Sequence, residues 1–399
     1  MGQGSAGTPD GASDEVPDIA PSVRGARLGL TGLFLASGLT LASFLSRIPS
    51  VQNDLGLPAA TLGLVLPALS VGVVTGLLLA GRVIGRTGSR RLMLAGVLTA
   101  AVALPLTGLA AGPLTLASAL LLLGLGAASM DVGMNAQGIA VERSYGRSIL
   151  IGMHAAWSVG TLIGALAGSF AIASGIPVWA HLAMVAVLVA ALGVLALRRL
   201  TVDDRVTATT PARFALPRGP LFPLALVAFA SILGESTAGY WAGIHLRDTV
   251  AVAPGRIGWA FVAHTAGMVG ARLIGDRLVG RFGRHAVIRA SGLLAGAGFL
   301  VVATVPVLLG GVVGFLLAGL GLGSLVPLAF ASAGRVVTTP GEGVAAVLAV
   351  GYLAFLIGPP VIGALADTIG LSAGFLLVAV VIALLAARPL PVSSPTTTP

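Results

Sequence analysis

Charge is too scarce in this chain to cover a water-facing surface. Only 9% of its 399 residues are Asp, Glu, Lys or Arg, where a soluble domain carries about 25%. Hydrophobic residues make up 56%. They fall into long runs, and a run of about 20 lets an α-helix cross the hydrocarbon core of a bilayer. In lipid each backbone N–H and C=O must be satisfied internally, which helices of this length achieve alone. Gly is abundant at 57 residues. Small residues let helices approach closely where no hydrophobic effect draws them together. The expected class is therefore all-α and integral to the membrane, with the lipid bilayer as its constant partner.

The apolar runs predict twelve transmembrane helices, near 28–48, 58–80, 92–111, 114–141, 148–173, 178–197, 221–246, 256–276, 286–306, 309–334, 342–365 and 371–388. They divide six and six: a bundle at 27–198, a cytoplasmic linker at 199–220 and a bundle at 221–388. The flanks at 1–26 and 389–399, rich in Gly, Ser, Asp, Pro and Thr, read as disordered tails. No signal peptide is expected, because the first apolar run is long and many others follow it.

All 23 basic residues are Arg and none is Lys, a codon bias that suggests a bacterial source. One set of loops carries Arg24, Arg27, Arg82, Arg86, Arg90, Arg91, Arg143, Arg147, Arg198, Arg199, Arg205, Arg213, Arg218, Arg277, Arg281, Arg284 and Arg335; the opposite set carries little beyond Arg47, Arg247 and Arg256. The positive-inside rule then puts both termini in the cytoplasm, in a multi-pass protein of the bacterial inner membrane. The formal charge of +9 is thus a topology signal, and no nucleic-acid partner is expected. Cys is absent, which excludes disulfides, thiol catalysis and Cys-based metal sites. No GxxxxGK[ST] loop exists, so ATP is not expected to drive the protein. No metal-ligand spacing and no nucleophile–base pattern is visible. The chain is expected to be no enzyme, to need no cofactor or metal, and to work as a monomer.

A repeat runs through the sequence. RVIGRTG from Arg82 and RLVGRFG from Arg277 match at an offset of 195, and the same offset aligns GLGAAS from Gly124 with GLGLGS from Gly319. A third echo, GALA from Gly164 and from Gly363, has an offset of 199. Together these read as a duplicated six-helix unit.

Two parallel six-helix halves, each with a basic loop between its second and third helices, resemble the major facilitator superfamily. Gly81, Arg86, Gly88, Arg90 and Arg91 match that family's loop signature, with Gly85 in place of its usual acidic residue. In the second half Asp276 lies four residues early. The resemblance implies two pseudo-symmetric bundles and a gating role for Gly81, Arg82, Arg86, Gly88, Arg90, Asp276, Arg277, Arg281 and Gly283. GMHAAWSVGTLIGAL from Gly152 and GESTAGYWAGIHLRD from Gly234 look most like bacterial members near the sugar-permease, fucose permease-like branch.

An ionisable residue inside a span costs ~2.5–3.5 kcal/mol on insertion scales, so each one is a functional candidate. Glu235 lies midway along the seventh span, with Ser231 and Gly239 on its face. It is read as a proton- or substrate-binding carboxylate, or else as a structural hydrogen bond between helices. A carboxyl in a low-dielectric site holds its proton more tightly than in water, which suits a group that loads and releases protons near neutral pH. Asp131 in the fourth span shares a stripe with Asn135, Gly138 and Glu142. That stripe either lines the cavity or is a polar packing seam, with Glu142 an interfacial charge. His154 opens a stripe with Ser158 and Thr161, and His264 lies in the eighth span; both are read as proton relays or local hydrogen-bond partners. Tyr240 and Trp241 could stack on a sugar ring or belong to an aromatic belt, and a regular helix would turn them away from the Glu235 face. Arg47 is expected to snorkel from its helix end, and Arg272 to belong to the cytoplasmic loop charges.

These readings converge on a secondary transporter that moves a small organic solute, with sugars among the candidates, in symport with protons by alternating access. The alternatives are a drug or metabolite exporter of the same fold, and a non-transporting sensor or scaffold. An apolar cavity favours the exporter; one rich in Asn, His and Glu favours the importer.

Overall fold

The computed structural model describes residues 20–145, 149–200, 217–336, 340–386 and 388. Arg147, Arg205 and Arg213, most of both tails and the middle of the linker lie outside the described residues. The first half comprises α1 (Pro21–Leu55), α2 (Ala59–Val65), α3 (Pro67–Thr87), α4 (Ser89–Gly108), α5 (Pro113–Tyr145), α6 (Leu150–Ala173) and α7 (Val178–Arg199). The second comprises α8 (Leu221–Ile244), α9 (Trp259–Phe282), α10 (Arg284–Thr304), α11 (Leu308–Leu322), α12 (Leu325–Val336), α13 (Pro340–Thr368) and α14 (Leu371–Ala386). The pairs α2/α3 and α11/α12 each form one crossing, and α8 continues as a π turn to Thr249. Among the described residues, eleven crossings are long and apolar enough to span a membrane, and α14 is a shorter apolar helix of 16 residues.

Helices outrun their apolar runs. α1 starts at Pro21, so residues 21–26 are helix rather than tail. Proline at the first helical position gives up an N–H that has no partner there anyway. The same helix passes the polar Gln52 and Asn53 and stops only at Gly56, whose φ of 60° is left-handed and whose N–H bonds back to the Asn53 carbonyl.

The two halves share one packing scheme. In the first, α1 lies on α6 and α7, α3 on α5, and α4 on α5 and α7; in the second, α8 lies on α13 and α14, α9 on α11, and α10 on α11 and α14. The repeat of 195 residues is visible in atomic detail. Gly88 joins α3 to α4 at φ 83°, ψ 159°, and Gly283 joins α9 to α10 at φ 77°, ψ 158°. Only glycine adopts that backbone without strain. A Cβ on Gly124 would strike the Leu69 carbonyl, and one on Gly319 would strike the His264 carbonyl; these partners are also 195 residues apart. The GALA echo does not belong to this symmetry. Gly164 meets α1 of its own half, whereas Gly363 meets the Ala59 carbonyl of the opposite half.

The halves meet at the arginine-poor end. Asp367 on α13 accepts hydrogen bonds from the Ala59 and Ala60 N–H groups of α2 at 3.0 and 2.8 Å. Arg247 donates to the Pro49 carbonyl and to Gln52 Oε1, and pairs with Asp248. Toward the arginine-rich end Asp131, His154 and Arg272 are exposed, so the space between the halves opens there.

Candidate functional site

A cavity of about 350 Å³ lies between the halves. From the first half come Ser37, Thr40, Leu41 and Leu45 of α1, Ser70 and its neighbours on α3, Asp131 on α5 and Trp157 on α6; from the second come Glu235, Ser236, Gly239 and Tyr240 of α8 and Tyr352 and Phe355 of α13. The contributions of α1 and α8 are related by the repeat: Thr40, Leu41 and Leu45 precede Glu235, Ser236 and Tyr240 by 195 residues. Equivalent faces thus meet at the centre, one carrying a hydroxyl where the other carries a carboxyl.

Glu235 and Asp131 both line this space, one from each half. Glu235 is half-buried and Asp131 is exposed to the cleft. Asn135, one turn beyond Asp131, donates from Nδ2 to the Asp131 carbonyl at 2.9 Å and to its Oδ1 at 3.1 Å. It orients the carboxylate and does not line the cavity. Glu142, farther along the stripe, caps α6 instead: its Oε2 accepts from the Ile149 and Leu150 N–H groups at 2.7 and 2.9 Å. That is the favoured place for a negative charge, at the positive end of a helix dipole.

Tyr240 joins Glu235 in the wall, contrary to the expected orientation, beside Ser70 of the other half. The cavity is wide enough to take an arc of α8 rather than a stripe. Trp241 does point away: it is fully buried, and its Nε1 has no partner among the described residues. His264 is 3% exposed, its backbone carbonyl lies against Gly319, and it does not line the cavity. His154 is outside the wall, edge-on to Phe34 with ring centroids 4.9 Å apart.

Two arginines depart from expectation. Arg47 does not snorkel; it is 3% exposed and donates from Nη2 to the Ile176 carbonyl at 2.7 Å. Arg272 is no loop charge. Its Nη1 donates across the interface to Ser158 Oγ at 3.1 Å, and its guanidinium carbon stands 5.5 Å from the Trp157 ring centroid. It also lies within electrostatic reach of Glu235. The residues Gly81, Arg82, Arg86, Gly88, Arg90, Asp276, Arg277, Arg281 and Gly283 gather at the two α3/α4 and α9/α10 junctions, outside the cavity, with the arginines and Asp276 exposed.

Sequence reading missed Trp157, Tyr352, Phe355 and Ser70. A usable signal existed for the aromatics: Trp and Tyr in membrane helices gather at the interfaces, so Trp157 and Tyr352 within spans were exceptions.

The model of the Major Facilitator Superfamily matches residues 29–223 and again 224–398, one match per half. An uncharacterised transporter of Sinorhizobium fredii, y4wD, is 33% identical over 363 residues, covering 90% of this chain and 96% of that protein. An uncharacterised MFS-type transporter of Yersinia pestis is 30% identical, covering 89% of this chain and 92% of that protein. Among solved structures, the nucleoside transporter NupG superposes with a TM-score of 0.75 at 15% identity, covering 90% of this chain and 97% of that one. A bacterial homologue of the human lysosomal transporter Spinster, in an inward-facing and unoccupied conformation, gives 0.72 at 12% identity, covering 92% and 96%.

Proposed function

Because the chain belongs to the Major Facilitator Superfamily, we propose that it is a secondary transporter of a small organic solute, driven by protons, whose halves rock about the cavity between Asp131 and Glu235. One observation carries this reading: a carboxyl from each half lines a single space that lies between the halves and opens to one end. Ionisable groups are retained within a span at a cost, and a cavity that takes up and releases protons gives them a use. The arginine bias supports placing the open, arginine-rich end and both termini in the cytoplasm, in a monomer of the bacterial inner membrane. Closure there and separation of the Asp367 and Arg247 contacts at the far end would expose the same cavity to the other side. Proteoliposomes with an imposed pH gradient and a solute panel test the proposal. Gradient-dependent flux of at least one solute is expected; a protein that moves none, with or without the gradient, is the sensor or scaffold.

Direction divides two readings. Symport of a sugar leans on a polar site, yet Asn135, His154 and His264 are absent from the wall, which is mostly apolar. That composition favours the exporter, in which protons enter in exchange for the solute.

A further inference from the structure

The wall of this cavity is chemically one-sided. Its two carboxyl side chains are Asp131 and Glu235, and among the described residues no basic side chain lines it. Arg272, the cation within reach of Glu235, has its guanidinium engaged by Ser158 and Trp157. Aromatic rings enter from both halves: Trp157 from α6, Tyr240 from α8, Tyr352 and Phe355 from α13, the last two with centroids 6.2 Å apart. An aromatic face attracts a cation by ~0.5–2 kcal/mol, most where water is excluded.

Resting on the transport reading above, we propose that this site takes an organic cation with an aromatic body. Two hydroxyl groups of the wall argue against a sugar. Thr40 Oγ1 donates to the Ala36 carbonyl at 2.8 Å and Ser236 Oγ donates to the Leu233 carbonyl at 3.0 Å, so neither has a proton left to give a sugar oxygen. A sugar brings a hydroxyl on nearly every carbon, and each one buried without a partner costs about 1–3 kcal/mol. The many leucines of the wall (Leu41, Leu45, Leu69, Leu77 and Leu123) offer it none. An organic anion meets two carboxyls in the wall, while Arg272 stands outside it over Trp157. An aromatic cation instead places its charge between Asp131 and Glu235 and its ring among the aromatic faces. A cavity of about 350 Å³ suits one or two rings, near the lower end of the roughly 300–1,000 Å³ usual for ligand sites. Cation and proton then compete for the same two carboxyls, so loading one releases the other.

Binding of labelled 1-methyl-4-phenylpyridinium to the purified full chain tests this, at mildly alkaline pH. The comparison ligands are its uncharged isostere 4-phenylpyridine, biphenyl-4-carboxylate, and a hexose. The cation is expected to bind about tenfold or more tightly than the isostere, with the anion and hexose weaker still. Asp131→Asn and Glu235→Gln should each remove most of the preference for charge. Tyr352→Leu, which keeps both carboxyls, should weaken the cation several-fold and serves if the carboxyl variants do not fold. Equal binding of the isostere, tighter binding of the anion or hexose, or a cation affinity unmoved by Tyr352→Leu overturns the proposal. Gradient-driven flux of the solute panel separates the two claims. Flux of a neutral or anionic solute without cation binding sinks the cation and keeps the transporter; tight cation binding with no flux of any solute does the reverse.

Discussion

Arg272 of α9 reaches across the interface between the two halves and donates to Ser158 of α6 at 3.1 Å, over the face of Trp157. It is thereby a positive charge beside a cavity proposed to hold another positive charge. Arg272→Gln keeps a hydrogen-bond donor for Ser158 and deletes the repulsion. Like charges about 10 Å apart repel by ~1–2 kcal/mol at an effective dielectric of about 20, so the variant should bind an aromatic cation about tenfold more tightly. Equilibrium dialysis measures this. Weaker binding would mean that Arg272 belongs to the site as a ligand contact.

At the arginine-poor end, Asp367 holds the first two N–H groups of α2 and so ties the second half to the first. Charge-assisted bonds of this kind contribute about 1.5–3 kcal/mol each at most. Asp367→Ala should loosen that closure and expose the cavity to the far side more often. The chain contains no cysteine, so a single Ser70→Cys substitution reports access without background. Labelling by an impermeant maleimide added at that face is expected to speed up several-fold in Asp367→Ala. An unchanged rate would remove Asp367 from the closure.

The repeat makes a stability prediction. Gly124 faces the Leu69 carbonyl and Gly319 the His264 carbonyl, each too close for a methyl group. Gly124→Ala and Gly319→Ala should destabilise the protein comparably, by ~1–3 kcal/mol, since the packed backbones have to move apart. Gly32→Ala, where a Cβ meets nothing within 4 Å, is the control. Thermal unfolding in detergent ranks the three; a Gly32 variant as unstable as the other two would show that close backbone approach is not what the repeat glycines protect.

Much of this was legible in the sequence because it depends on position along the chain. Apolar run length gave the crossings, the Arg asymmetry gave the two ends, and the 195-residue offset gave the halves, down to equivalent glycines. Asp131 and Glu235 were visible because a carboxyl inside a span is costly to insert and stands out against its apolar neighbours. What the sequence hid was rotation and reach. Tyr240 is five residues from Glu235, about 140° around a regular helix, and only the breadth of the cavity brings both into one wall. Arg272 sits five residues before Arg277 and looks like loop charge until α6 is packed beside it. Trp157, Ser70 and Tyr352 carry no signal of partnership, because their partners lie on helices far away in sequence. The GALA echo misled for the opposite reason: small residues recur wherever helices touch, whatever their ancestry.

The central claim is that the carboxyls lining the cavity, Glu235 among them, carry the coupled proton, and proteoliposomes test it most directly with two assays on Glu235→Gln. Glutamine keeps the size of the side chain and cannot titrate. The expected result is that pH-gradient-driven transport is abolished while solute exchange without a gradient, at solute concentrations raised to offset weaker binding, continues. Gradient-driven transport that survives intact in Glu235→Gln would contradict it.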